Sequence, residues 1–143
     1  MRRARTAAFC VVVSCIASTP SLVENANAQP EIDCQNAMST AEMNACADKA
    51  FEAADKELNA AYQSALAAIP GVASEKPYGA KSWEAALRAS QRAWVAFRDA
   101  ECVGHLAFFW QGGSGASADI IGCKTELTKA RTQVLRERYQ NSR

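Results

Sequence analysis

The sequence predicts an all-α fold, a small antiparallel three-helix bundle stapled by two disulfides. Three observations lead there. Apolar residues recur at three- and four-residue intervals along most of the chain, with no alternating strand pattern. Pro70-Gly71 and Gly112-Gly113-Ser114-Gly115 cut that pattern into three rods. Four cysteines, Cys34, Cys46, Cys102 and Cys123, follow a leader-like start. The chain has 143 residues, which suits one domain.

Met1-Arg2-Arg3-Ala4-Arg5 supplies a charged start, and Ala7 to Ala17 supplies a short apolar run. This is the pattern of a secretory signal, and the run is too short to span a bilayer. Ala26-Asn27-Ala28 offers a cut before Gln29, so residues 1–28 read as a signal peptide, 29–38 as an N-terminal extension and 39–140 as the helical domain. A second cut is chemically plausible. Val12-Val13-Ser14-Cys15 resembles a bacterial lipobox, though poor in leucine and close to the start, and would make Cys15 a lipid anchor. The expectation is therefore a periplasmic or secreted protein, with a lipoprotein anchored at Cys15 as the alternative. Both place the domain in an oxidising space, where cysteines pair.

The first helix opens at the capping box Ser39-Thr40-Ala41-Glu42. Met43, Ala47, Phe51, Ala54, Leu58, Ala61, Tyr62, Ala65 and Ile69 form its apolar stripe, and Pro70-Gly71 is expected to stop it at Ile69, with a loop to Gly79. The second helix begins near Ser82 and carries Trp83, Leu87, Trp94, Phe97, Cys102 and Leu106 on one stripe until the glycine turn ends it; Trp83, Trp94 and Phe97 are expected in the core. The third starts at Ser117, with Asp119 at its positive end and Arg136 and Arg138 near its negative end. Ile120, Cys123, Leu127, Ala130 and Val134 are expected to face inward.

Four cysteines permit three pairings, and sequence alone does not choose among them. Spacing favours one. Cys102 and Cys123 are equidistant from the glycine turn, so an antiparallel hairpin sets them opposite each other and leaves Cys34 with Cys46. Each loop closed this way is worth roughly 3 kcal/mol. The competing chemistry is a zinc site built on Cys102-Val103-Gly104-His105, but structural zinc sites use two short-spaced ligand pairs and Cys34 and Cys46 lie far apart. No metal and no cofactor is expected.

Beyond the leader the chain carries 13 basic and 14 acidic side chains, so its charge gives no reason to expect a nucleic-acid partner. The balance hides a gradient. The segment from Glu31 to Glu57 is acidic, with Asp48, Glu52 and Asp55 on one helical stripe, and the segment after Lys124 is basic. The gradient fits self-solvating helix faces, and equally an acidic end that steers a cationic partner. His105 is the single histidine, and is expected as a cap or surface residue. Asp99 and Glu101 project about 200° apart on a helix, so they form no shared acid and base pair and suit ion pairing with Arg98 or with arginines of the third helix. No nucleophile, phosphate loop or carboxylate dyad can be assembled, which argues against an enzyme. Phe108-Phe109-Trp110 cannot all face inward from one helix, so at least one ring is expected on the surface beside the turn.

Asp33-Cys34-Gln35-Asn36-Ala37, Thr40 to Ala47, Ala54-Asp55 with Leu58-Asn59 and Tyr62, Gln91-Arg92-Ala93-Trp94, Phe97 to Cys102, Gly113-Ser114, and Cys123 with Leu127-Thr128 and Arg131 together resemble the LprI-type lysozyme-inhibitor domain. The resemblance runs from about Asp33 to Leu135. It implies a bacterial exported or lipid-anchored helical domain with two disulfides that binds a lysozyme. Trp94, Arg98, Asp99, Glu101, Leu127, Thr128 and Arg131 are its motif positions and read as packing and ion pairing between helices two and three. The expected activity is inhibition of a cationic c-type lysozyme, with Trp110, Gly113 and Ser114 entering the cleft and Asp48, Glu52 and Asp55 attracting the partner. The alternative is an envelope interaction module with another protein partner and no lysozyme inhibition.

Overall fold

The computed structural model describes residues 32–139; the leader, the Ala26-Asn27-Ala28 cut, Cys15 and Gln140 lie outside them. Its elements are α1 (Thr40–Val72), α2 (Ala80–Asp99), a π-helical segment (Ala100–His105), α3 (Leu106–Trp110) and α4 (Ala116–Tyr139), with no strand among the described residues. Backbone angles stay helical at Ala100 and Leu106, so α2, the π segment and α3 make one continuous rod. The result is the three-helix, two-disulfide bundle that the sequence predicts. Trp83 at the start of α2 donates its indole N–H to Tyr139 Oη at the end of α4, 3.0 Å away, and Cys102 beyond the end of α2 bonds Cys123 near the start of α4. The middle rod thus runs antiparallel to α4. Glu57 of α1 meets Arg136 of α4 at 3.2 Å, and Phe51 meets Lys124 one and a half turns and more toward both N-termini, so α1 and α4 run parallel.

The capping box forms as written. Ser39 Oγ accepts the Glu42 N–H at 3.2 Å, while Glu42 Oε2 accepts from the Ser39 N–H at 2.9 Å and the Met38 N–H at 3.1 Å. The backbone and hydroxyl of Ser39, and then the Met38 N–H, hold the Glu42 carboxyl below its ordinary value of 4.5. A lowered carboxylate pKa stabilises the fold at pH values above the ordinary one, and that contribution is lost as pH falls through the lowered one. The acid limb of a stability–pH curve is therefore expected to flatten in Glu42→Gln, measured by thermal unfolding between about pH 6 and 2.

Four expectations need correction. α1 does not stop at Ile69 but runs to Val72 with Pro70 inside it. Proline fixes a helix-compatible φ and removes one N–H, and the Ala73 N–H still closes the last turn on the Ile69 carbonyl at 2.9 Å. α2 starts two residues earlier than Ser82, capped by Gly79. Phe97 is not core: it is 53% exposed, while Trp83 and Trp94 are half-buried and pack on the core and Arg98 takes the inward position at 7%. In α4 the fully buried residues are Thr125, Thr128, Thr132 and Leu135, while Ala130 is exposed and Ile120, Cys123, Leu127 and Val134 only flank them.

That threonine stripe explains how α1 and α4 pack. It faces Ala54, Leu58, Ala61 and Ala65 of α1, where the three alanines let two helices approach closely. Thr125 Oγ1 donates to the Ile121 carbonyl at 2.8 Å and Thr132 Oγ1 to the Thr128 carbonyl at 2.9 Å, so hydroxyls buried between the rods stay satisfied within their own helix. The apolar core of Leu58, Ala61, Ala65, Ile69, Leu87 and Leu135 occupies the half of the bundle around Trp83 and Tyr139.

The other half is held differently. Arg98 lies 5.3 Å from the ring centres of both Phe51 and Trp94; Lys124 lies 4.6 Å from the ring centre of Phe51, and Arg131 lies 6.0 Å from that of Trp94. Cations and rings from all three rods meet in one column. Asp99 Oδ1 accepts Arg98 Nε at 3.0 Å, and Asp55 stands 3.9 Å from Arg98 Nη1. Beyond the column the fully buried Cys102 bonds Cys123, and Cys34 bonds Cys46.

Candidate functional site

The end of the bundle where α3, the glycine turn and the starts of α1 and α4 meet presents the features that no packing role absorbs. Its geometry begins in the π segment. A π turn holds one more residue than an α turn, so residues after it are rotated relative to an unbroken helix. Phe108 and Phe109 emerge 79% and 70% exposed, and Trp110 is partly exposed beside them. The His105 ring meets Phe109 edge-on at 5.2 Å.

The turn itself is pinned rather than hinged. Gln111 (φ 46°) and Gly112 (φ 82°) both adopt left-handed backbone and reverse the chain, and a β-carbon at residue 112 would be strained there. The Gly113 N–H donates to the Trp110 carbonyl at 2.7 Å and the Ala116 N–H to the Gly113 carbonyl at 3.1 Å. The indole N–H of Trp110 donates to Asp119 Oδ2 at 2.8 Å, and the ring lies so close over Gly115 that a β-carbon there would clash with it. A short loop held in one shape loses little entropy when a partner covers it.

Between this turn and the helix starts lies a groove of about 340 Å³, lined by Met43, Asn44, Trp110, Ser114, Asp119 and Gly122 among others. Asn44 Oδ1 is buried and has no hydrogen-bond partner among the described residues.

The structure separates the acidic stripe. Asp48 and Glu52 are exposed, whereas Asp55 is half-buried, faces Arg98 and accepts from Asn59 Nδ2 at 2.9 Å. The motif residues fall in two groups. Trp94, Arg98, Asp99, Thr128 and Arg131 meet at the cation–ring column: Arg98 Nη1 reaches Thr128 Oγ1 at 3.5 Å, and Arg131 donates to Gln91 Oε1 at 3.1 Å and to Ser90 Oγ at 3.2 Å. Leu127 is half-buried, and Glu101 is exposed and pairs at 3.5 Å with the exposed His105 in its own rod. Asp99 also lies 4.0 Å from Lys124. The Cys102-Val103-Gly104-His105 step keeps no free thiolate, because Cys102 is bonded to Cys123, and no group of three or more His, Cys, Asp or Glu among the described residues is placed to hold a metal. Sequence reasoning singled out Trp110 but not Asn44 or Asp119 as parts of one groove. Asn44 looks like any polar residue near a helix start until the fold brings α4 beside it.

The family model described as Lysozyme inhibitor LprI matches residues 33–135. An uncharacterized protein of Rhizobium meliloti (strain 1021) is 42% identical over 125 residues, covering 82% of this chain and 86% of its own length. No solved structure matches.

Proposed function

Because the chain belongs to the lysozyme inhibitor LprI family, we propose that it is an exported envelope protein that binds and blocks a c-type lysozyme through the aromatic end just described. The observation that carries the reading is the exposure of Phe108 and Phe109 beside a turn pinned by Trp110, since aromatic rings on a rigid, solvent-facing edge are the usual anchors of protein interfaces. The family is one of inhibitors rather than enzymes. Exposed Asp48 and Glu52 lie toward the same end of α1 and give a cationic partner a steering field that salt should weaken. Two disulfides and the family mark an extracytoplasmic protein, and no helix among the described residues is long and apolar enough to cross a membrane. Cleavage before Gln29 would release the domain of residues 39–140 with a short extension; acylation at Cys15 is the alternative, and the mass of the mature N-terminus distinguishes them.

The test is a bacterial lysis assay. Mature, oxidised protein in stoichiometric excess should slow a c-type lysozyme at low salt, and less so at high salt. Gly115→Ala pushes the indole off its seat and off Asp119, so it should weaken inhibition about tenfold or more while leaving the helical circular dichroism intact. An unchanged lysis rate with the wild-type protein would remove lysozyme as the target and leave an interaction module for another envelope protein.

A further inference from the structure

We infer that the groove between the start of α1, the start of α4 and the indole of Trp110 receives a single arginine side chain of the cationic protein that the domain binds. The inference deepens the lysozyme reading above and rests on it for the identity of the partner. Its grounds are the shape and chemistry of the groove. At about 340 Å³ it is at the small end of ligand sites, suited to one long side chain rather than a peptide segment. Met43, Gly122 and Trp110 give it apolar walls for an aliphatic stem, and Trp110 stays 41% exposed.

The polar atoms then select the head group. Asn44 is one of the lining residues, and its Oδ1, buried beside the groove, has no donor among the described residues; such an atom is costly to leave unpaired. Asp119 is the lone charged residue of the lining, and its carboxylate spends one acceptor on the Trp110 indole while keeping others. What is missing is a set of donors with positive charge and a flat face that lies on an indole. A guanidinium supplies all three at once, whereas an ammonium supplies no flat face. The domain already uses that chemistry inside, where Arg98 and Arg131 both lie against Trp94.

The rival occupant is an anion, because the positive ends of two helices converge on the groove. Both ends are already answered by carboxylates. Glu42 accepts three hydrogen bonds at the start of α1, from the Met38 and Ser39 N–H groups and the Ser39 hydroxyl, and Asp119 stands in the first turn of α4. With those in place the surroundings favour a cation, and exposed Asp48 adds to that balance.

The experiment follows the mature, disulfide-intact protein by ¹H–¹⁵N NMR during titration with N-acetyl-arginine methylamide, and separately with inorganic phosphate. The arginine probe should move the Trp110 indole signal and the Asn44 and Gly122 amides in a saturable way that high salt weakens, and phosphate should leave them in place. Lysozyme affinity is then measured for two variants. Asn44→Leu keeps the volume and removes the orphan acceptor, so affinity should fall about tenfold with no fall in melting temperature. Asp119→Asn should lower affinity and flatten its salt dependence. Phosphate binding at these signals, or no response of the groove to the arginine probe, would overturn the inference. If the wild type binds no lysozyme yet its groove takes the probe, the lysozyme reading fails and the groove stands. If lysozyme binds but Asn44→Leu and Asp119→Asn bind it as tightly as the wild type, the groove falls and the lysozyme reading stands.

Discussion

Arg98→Ala is expected to cost about 3 kcal/mol of unfolding free energy and to lower the melting temperature by more than about 10 °C. The loss has three parts. Arg98 lies against two rings at 5.3 Å, each contact worth about 1 kcal/mol when partly desolvated. Its charge-assisted bond to Asp99 Oδ1 at 3.0 Å adds less than its buried equivalent would, because Asp99 is about half exposed and water screens it. Truncation also opens a void among α1, α2 and α4 that the short threonine and alanine side chains nearby cannot fill. Two companions sharpen the test. Arg98→Lys should recover little, since an ammonium cannot lie flat between Phe51 and Trp94 while reaching Asp99. Arg98→Met should recover about half, since it restores volume without charge. Thermal unfolding followed by circular dichroism measures all three, and equal stability of the alanine variant and wild type would remove the column as a stabilising element.

The second large effect is expected for Cys102→Ser/Cys123→Ser. Closing a 21-residue loop is worth about 3 kcal/mol in the chain-entropy account. The location of the bond adds to the argument. The apolar core gathers around Leu58, Ile69, Leu87 and Leu135, and past Arg98 toward the turn the bundle has few fully buried apolar side chains apart from Cys102 itself. The covalent bond stands in for a core there. Without it, amide exchange should speed up first in α3 and the turn, while the amides of Leu58 to Ile69 keep their protection, and lysozyme affinity should fall with the turn's order. Removing Cys34–Cys46 should cost less in global stability, because that bond ties a short segment before α1 to the second turn of the same helix. Uniform exchange across both ends in the Cys102 variant would contradict the division of the bundle into two halves.

Much of this fold was legible because its determinants are local or symmetric. The capping box needs four residues, and the pairing of Cys102 with Cys123 follows from their equal distance from one turn. The failures share another cause. Hydropathy ranks Phe97 above Arg98 and Ile120, Leu127 and Val134 above Thr125, Thr128 and Thr132, yet the close approach of α1 and α4 rewards small side chains with self-satisfied hydroxyls, and the column of rings rewards a cation. Pro70 misled because one lost N–H is a small matter two residues from the end of α1. For the site, the run Phe108-Phe109-Trp110 announced itself by having too many rings for one face. The groove did not, because Asn44 and Asp119 are far apart in sequence and meet only through the parallel alignment of α1 and α4.

The wide turn of Ala100–His105 has a consequence for how such a domain could change its target. Each residue of an α-helix advances the chain by about 100° around its axis, so one additional residue in that stretch acts as a phase shift between the bundle and its aromatic crown. A one-residue deletion between Cys102 and Leu106 would leave Cys102 in reach of Cys123 and swing Phe108, Phe109 and Trp110 toward a different quarter of the surroundings. The bearing of the crown is thus written in the length of the stretch that follows Cys102.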